Sequence, residues 1–266
     1  MTVQPYRELK PTPEAEATYL KWLSQLNEDF TRCQSADRRS EMVRDELYQI
    51  YLGRIHGAHK ASTLTIELAT SVLAESFDPR NVTLEPEYYG DVDAEQYAIR
   101  KPLIWFWQMF DRSPLGLNHW LGFRFRCMLG RHIFKHLGKH VRIFHNVEFT
   151  YGYNLTIEDN CTIHKNVMLD DRGGLILHEG TSVADYANIY SHTHDINKQA
   201  DVTNKPTELG PGARVTYHGT VLAGANVGEN AMLGAMAVAT RDVPAQSVSV
   251  GIPARVKREK TKAPIS

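Results

Sequence analysis

Cysteine is scarce in this chain. Cys33, Cys127 and Cys161 are the only three in 266 residues, and no two form a CxxC pair. An odd, dispersed set does not build a disulfide framework or a zinc knuckle, and a reducing, cytoplasmic compartment is the expectation. A charge excess is missing too: 30 basic side chains stand against 31 acidic ones. That balance gives no electrostatic reason for a nucleic-acid partner. No apolar run is long enough to span a bilayer. The first thirty residues are rich in Glu, Pro and Lys, so no signal peptide is expected. What the chain does hold is 42% hydrophobic residues, enough to pack a core in one large or two moderate domains.

Those residues are strongly patterned. From Leu209 onward, Leu209, Val215, Val221, Val227, Leu233 and Ala239 recur every six positions. Ala213, Gly219, Ala225, Ala231 and Ala237 follow four places after the first five of them. Neither a 3.6-residue helix nor a period-two strand produces that spacing. A short, sustained period of this kind predicts a parallel β-helix, whose repeats bury their apolar face only by stacking. The period begins earlier, at Val141 and Val147, and continues through Ile157, Ile163 and Leu169, then Leu177, Val183 and Ile189. Three breaks interrupt it: Tyr151–Asn154, Asp170–Gly174 and the long stretch His192–Glu208. Corner insertions leave stacked strands intact and often carry function, so the last break is the first place to look for a site.

Residues 1–138 read as an α-helical region and cap, 139–250 as the β-helix and 251–266 as a tail. Thr12-Pro13-Glu14 predicts a helix start, and Ser40 a second cap. A third helix is expected over Ser62–Ser76, stopped by Asp78-Pro79, with a loop through Tyr89. Two further apolar stretches surround Ile104–Phe110 and Leu117–Leu137. The second mixes aromatics with Arg124, Arg126, Arg131 and Lys135. A membrane-surface helix would look like this. A helix closing the open end of the solenoid, its arginines solvated along their stems, is the preferred reading, because an uncovered terminal rung exposes backbone and apolar surface.

The string LGPGARVTYHGTVLAGANVGENAMLGAMAVATRDVP, followed by GIPARVKR, closely resembles the hexapeptide-repeat acyltransferases. The likeness covers roughly Val141 to Arg258. YGYNLTI, KNVMLDD, the His-bearing Ser191–Asp195 and the closing TRDVP make it most similar to the maltose and galactoside O-acetyltransferase branch. The resemblance implies a mostly β fold, a left-handed parallel β-helix behind the α-helical N-terminal region. It implies a homotrimer with sites between subunits, acetyl-CoA or another acyl-CoA as cosubstrate, no metal, and a small-molecule hydroxyl acceptor such as a sugar.

The implied chemistry needs a base to take the hydroxyl proton, a task suited to histidine. The family places that histidine five residues after an aliphatic rung position. Counting from Ile189 gives His194, with His192 as a neighbour that orients substrate or loop. The resemblance assigns acceptor contacts to Asn166, Asp171 and Tyr151, with Asp170 able to exchange with Asp171. Asn166 is equally readable as a corner residue tolerating left-handed φ. The Asp170–Gly174 break is expected to project from the coil. Ala223, Gly224, Gly234 and Ala235 leave room for a pantetheine arm, beside Tyr217. Thr240, Arg241, Arg255 and Arg258 match positions near the nucleotide end, where cations meet phosphates. Tyr217 and Met236 stand where the branch often has Ser and Gly.

Two other classes share the fold. A γ-carbonic-anhydrase-like zinc hydratase would use histidines among His164, His178, His192, His194 and His218. A non-catalytic assembly subunit would need none of them.

Overall fold

In the computed structural model, which describes residues 10–57 and 68–260, the hexads become the rungs of a three-faced solenoid. Successive aliphatic positions fall on successive faces. Face 1 stacks His136–Leu137, Leu155–Ile157, Leu175–Leu177 and Thr207–Leu209, and continues through bridges from Leu209 to Val227 and Val243. Face 2 stacks Arg142–Ile143, Thr162–Ile163, Ser182–Val183, Arg214–Val215, Met232–Leu233 and Ser247–Val250, with Arg255–Glu259 returning antiparallel at the edge. Face 3 stacks Glu148–Phe149, Met168–Leu169, Asn188–Ile189, Thr220–Val221 and Val238–Ala239. This is the left-handed parallel β-helix, of about six turns, behind a helical N-terminal region.

The two phases of the repeat have different jobs. The large aliphatics point into the tube, and Leu209, Val215, Val221, Val227 and Leu233 are all at most 1% exposed. The small residues sit inside the corners, where the chain bends. At Gly219 an added Cβ would lie 2.8 Å from Val215 Cγ1 and 2.9 Å from Thr216 O. Between coils the backbone bonds are regular: Arg214 N donates to Ala231 O and Thr220 N to Ala237 O, both at 2.9 Å.

Two of the three corners repeat a tight turn with one residue at positive φ. Between faces 2 and 3 these are Asn146, Asn166, Tyr186, His218 and Met236. Left-handed φ costs a non-glycine residue roughly 1–2 kcal/mol. That cost gives a physical reason for glycine at the position of Met236. Every interruption of the period falls at the third corner, between faces 3 and 1. Leu137 to Ile157 and Ile157 to Leu177 each span 20 positions, and Leu177 to Leu209 spans 32. Leu209 to Val227, with no insertion, spans 18.

The N-terminal region is helical: α1 Pro13–Arg32, α2 Ala36–Leu52, α3 Leu68–Ser76, α4 Ala94–Arg112 and α5 His119–Ile133. Thr12 caps α1 as expected, its side chain accepting from Ala15 N. Ser35, not Ser40, caps α2; Ser40 is one turn further in and bonds back to Ala36 O. Residues 62–67 of the expected third helix lie outside the described residues. The stretch before Tyr89 contains the short 3-10 turns Pro79–Asn81 and Glu85–Tyr88 rather than plain loop.

Helices α4 and α5 close the first coil. Trp107 Nε1 donates to Val147 O, and Arg126 Nη1 to Ile143 O, both at 3.2 Å. Arg126 corrects the solvated-stem expectation, because it is fully buried and paired with Asp111. Its guanidinium also reaches Gly116 O, so one side chain ties α4, α5 and the first coil. Phe110 stacks on Phe125 at 3.7 Å and Phe106 meets Phe125 edge-on at 5.0 Å. Losing one such ring costs about 3–5 kcal/mol. No described helix is long and apolar enough to cross a membrane.

Candidate active site

The long break forms a β-hairpin. His192–His194 pairs antiparallel with Val202–Asn204, with His192 opposite Asn204 and His194 opposite Val202. Residues two apart on a strand share a face, and the His192 and His194 rings meet at 5.3 Å between centroids. His194 is exposed, and its Nδ1 lies 2.7 Å from Gln199 O. A carbonyl only accepts, so Nδ1 carries the hydrogen and Nε2 keeps a free lone pair. His192 is half-buried, with Nδ1 2.6 Å from Asp170 Oδ2, which leaves its Nε2 free as well.

Two buried acids hold this corner, Asp170 at the hairpin root and Asp171 at the Thr150–Asn154 turn of the preceding coil. Asp170 accepts from the backbone N–H of Arg172, Ser191 and His192 and from Thr150 Oγ1. Asp171 accepts from the N–H of Thr150, Tyr151 and Asn154 at 2.7–3.1 Å. A lengthened corner frees backbone donors that must find partners, and these two carboxylates supply them. Burial, and then the neighbouring Asp170 charge, push Asp171 up to about 7 against the backbone donors that pull it down. Gly173 fits beneath the hairpin, where an added Cβ would lie 2.0 Å from Ser191 O.

This geometry corrects part of the expected acceptor site. The Asp170–Gly174 break does not project, and both aspartates are 0% exposed. Tyr151 is also buried, its hydroxyl donating to Asp91 Oδ1 at 2.9 Å. None of the three is open to an acceptor. Asn166 remains at the surface; its φ of +57° makes it a left-handed corner residue, and it also lines a cavity. That cavity, about 370 Å³, lies between α4 and the corner of faces 2 and 3. Gln108, Arg112, Asn146, Glu148 and Asn188 contribute polar groups to it, above Val147, Val167 and Met168.

The expected cosubstrate residues divide between two corners. Ala223, Gly224, Thr240 and Arg241 line one shallow cleft at the corner of faces 3 and 1, in the coils that follow the hairpin in sequence. Lys205, from the long break, and Asp242, the aspartate of TRDVP, complete its wall. Tyr217 and Ala235 sit instead at the corner of faces 2 and 3, both exposed. Arg255 and Arg258 are exposed on the antiparallel edge strand, outside the cleft. The other histidines are dispersed: His178 lies between Glu158 and Glu208, His164 stacks on Phe144 and His218 on Tyr186. Among the described residues, no three His, Cys, Asp or Glu side chains converge as a metal site.

No family model matches the chain. A galactoside O-acetyltransferase of Escherichia coli K12 is 27% identical over 147 residues, 55% of this chain and 64% of that protein. The match thus spans less than two thirds of that relative's length. A putative acetyltransferase of Saccharomyces cerevisiae is 26% identical over 116 residues, 42% of this chain and 59% of its own. Among solved structures, a maltose O-acetyltransferase from Clostridium difficile superposes with a TM-score of 0.57 at 22% identity, over 66% of this chain and 92% of that one. A galactoside acetyltransferase in complex with coenzyme A gives 0.57 at 21% identity, over 65% and 86%. Sequence likeness and shared solenoid together make this chain a hexapeptide-repeat β-helix protein resembling the maltose and galactoside O-acetyltransferases.

Proposed function

We propose that the protein is a coenzyme A-dependent O-acyltransferase, transferring an acetyl group to a hydroxyl of a sugar or another polyhydroxylated small molecule. The observation that carries this reading is the hairpin. It presents a histidine with a fixed tautomer and a free Nε2 at the same corner as a shallow, small-residue cleft walled by Lys205 and Arg241. His194 is the general base. Its Nε2 takes the hydroxyl proton as the oxygen attacks the thioester carbonyl. The C–S bond then breaks, and the thiolate recovers the proton from the imidazolium. His192, held by Asp170, steadies the ring beside it. The cleft fits a pantetheine arm over Ala223 and Gly224, with cations placed for phosphates.

A single chain splits the implied cosubstrate residues between two corners, so we infer that neighbouring copies of a homotrimer complete each site. Tyr186, Tyr217 and Met236, all exposed at the corner of faces 2 and 3, support that reading as an apolar contact surface. The cavity holding Asn166 has the amide-rich rim and apolar floor that suit a sugar ring.

The test is release of free coenzyme A thiol from acetyl-CoA across a panel of sugars and other polyols, alongside thermal melts with and without acetyl-CoA. Stabilisation by acetyl-CoA and acceptor-dependent thiol release are expected. No stabilisation and no thiol release with any acceptor would contradict the proposal.

A further inference from the structure

All three breaks in the repeat converge on one short segment of the N-terminal region, Tyr89–Asp93. From the first break, Tyr151 donates its hydroxyl to Asp91 Oδ1 at 2.9 Å, and Tyr153 Oη accepts from Asp93 N at 2.9 Å. From the second, Arg172 grips Asp91 through Nε and Nη2 at 2.8–3.0 Å and lies over the Tyr89 ring at 4.3 Å. From the third, Asn204 Nδ2 donates to Asp91 Oδ2 at 3.1 Å, across 113 positions of sequence. Asn204 is the residue paired with His192 in the hairpin. The side chains that bond the Asp91 carboxylate, Tyr151, Arg172 and Asn204, come from the three breaks in turn.

We propose that Asp91 is a positioning residue: it clamps the histidine hairpin to the N-terminal helical region, making that region part of the site rather than only a cap. A hairpin with two paired strands and a mostly exposed tip has few contacts of its own to hold it. Its inner end is rooted by Asp170 and Ser191. The returning strand is held by its pairing with the histidine strand and by Lys205 N, which donates to Ser191 O at 2.8 Å; the Asn204 side chain adds the bond to the N-terminal region. Asp91 supplies the tether with a charged acceptor, and charge-assisted bonds are the stronger kind. The Arg172 guanidinium beside it holds the Asp91 carboxyl well below the usual carboxylate range, consistent with a permanent anion at this hub. Asp91 has no spare oxygen for a substrate, so its effect on catalysis passes through His192 and His194. This rests on the acyl-transfer reading only for its kinetic consequence; the tethering itself does not.

The test compares wild type with Asp91→Ala and Asn204→Ala by amide hydrogen exchange and by kinetics. Asn204→Ala removes only the outer bond and leaves Arg172 and Tyr151 in place, so it serves even where Asp91→Ala fails to fold. In each folded variant, amides of Thr193–Thr203 exchange about tenfold faster or more, while those of the coils from Leu209 to Val243 keep their wild-type rates. kcat falls by about tenfold with the acetyl-CoA KM within about twofold of wild type, because the ring is displaced and the cleft is not. Unchanged hairpin exchange in Asn204→Ala overturns the clamp. Faster exchange with an unchanged kcat overturns its role in positioning the base. An inactive wild type counts against the acyl-transfer reading instead, and the exchange data then decide the clamp alone.

Discussion

Two corners of one solenoid, built from the same repeat, have different fates. Between faces 2 and 3 each of five coils turns on a single left-handed residue, from Asn146 to Met236, and no residue is inserted. Between faces 3 and 1 three coils are lengthened, and one of them throws out a hairpin. The difference lies in where the freed backbone donors go. A tight turn satisfies its own, as when Gly219 N bonds Thr216 O. A lengthened corner does not, and here the debt is met by Asp170 and Asp171 inside and by the Tyr89–Asp93 segment outside. A solenoid corner can be stretched where something else packs against it, and here that packing makes a platform for the hairpin bearing His192 and His194.

The largest effect at the lengthened corner is expected at Gly173. Gly173→Ala puts a methyl group into Ser191 O and moves the hairpin root. Displacements of about 1 Å cost about 100-fold in rate, so turnover falls by that order while the coils from Leu209 to Val243 keep their circular dichroism signal. A near-normal kcat would show that the root tolerates movement.

Asp170→Asn comes next. It replaces an acceptor of three backbone donors and of His192 Nδ1 with a group that also presents N–H. Acyl transfer is expected to fall about 10- to 100-fold, with acetyl-CoA affinity measured by calorimetry unchanged. Loss of affinity instead would place Asp170 in the cosubstrate cleft.

Asp171 sharpens the comparison through pH. Its pKa is raised from 3.8 to about 7, so the folded state holds a proton that the unfolded state has released. Its contribution to stability is therefore complete below pH 3.8 and is lost as pH rises through about 7. Denaturant melts at intervals from pH 4 to pH 8 should show wild type losing stability relative to Asp171→Asn across that window. Parallel curves would mean that Asp171 titrates normally.

The smallest effect is expected at the tight corner between faces 1 and 2. Gly212→Ala keeps φ at +64° with the nearest atom 3.9 Å away, so only the left-handed penalty of about 1 kcal/mol applies. Melts should register that loss and kinetics should register none.

The solenoid was legible in the sequence because each rung repeats the same demand, a large aliphatic inward and a small residue at the bend. The hairpin was legible as a failure of the period. The roles of Asp170, Asp171 and Tyr151 were not, because a polar run at a break looks like an exposed loop. Nothing local shows that the two carboxylates turn inward to receive freed N–H groups, or that the Tyr151 hydroxyl reaches Asp91. Arg126 misled for the same reason: an arginine among aromatics reads as solvated until Asp111, on another helix, is known to face it. Asp91 left no sequence signal, since its partners lie 60 to 113 positions away.

His194, on the hairpin at the interrupted corner, is the proposed base in acyl transfer. Steady-state turnover of His194→Ala with acetyl-CoA and the best acceptor tests that role most directly, with acetyl-CoA binding measured in parallel. The expected kcat is lower by about 10²- to 10⁴-fold with binding intact. Turnover within a few-fold of wild type would contradict it.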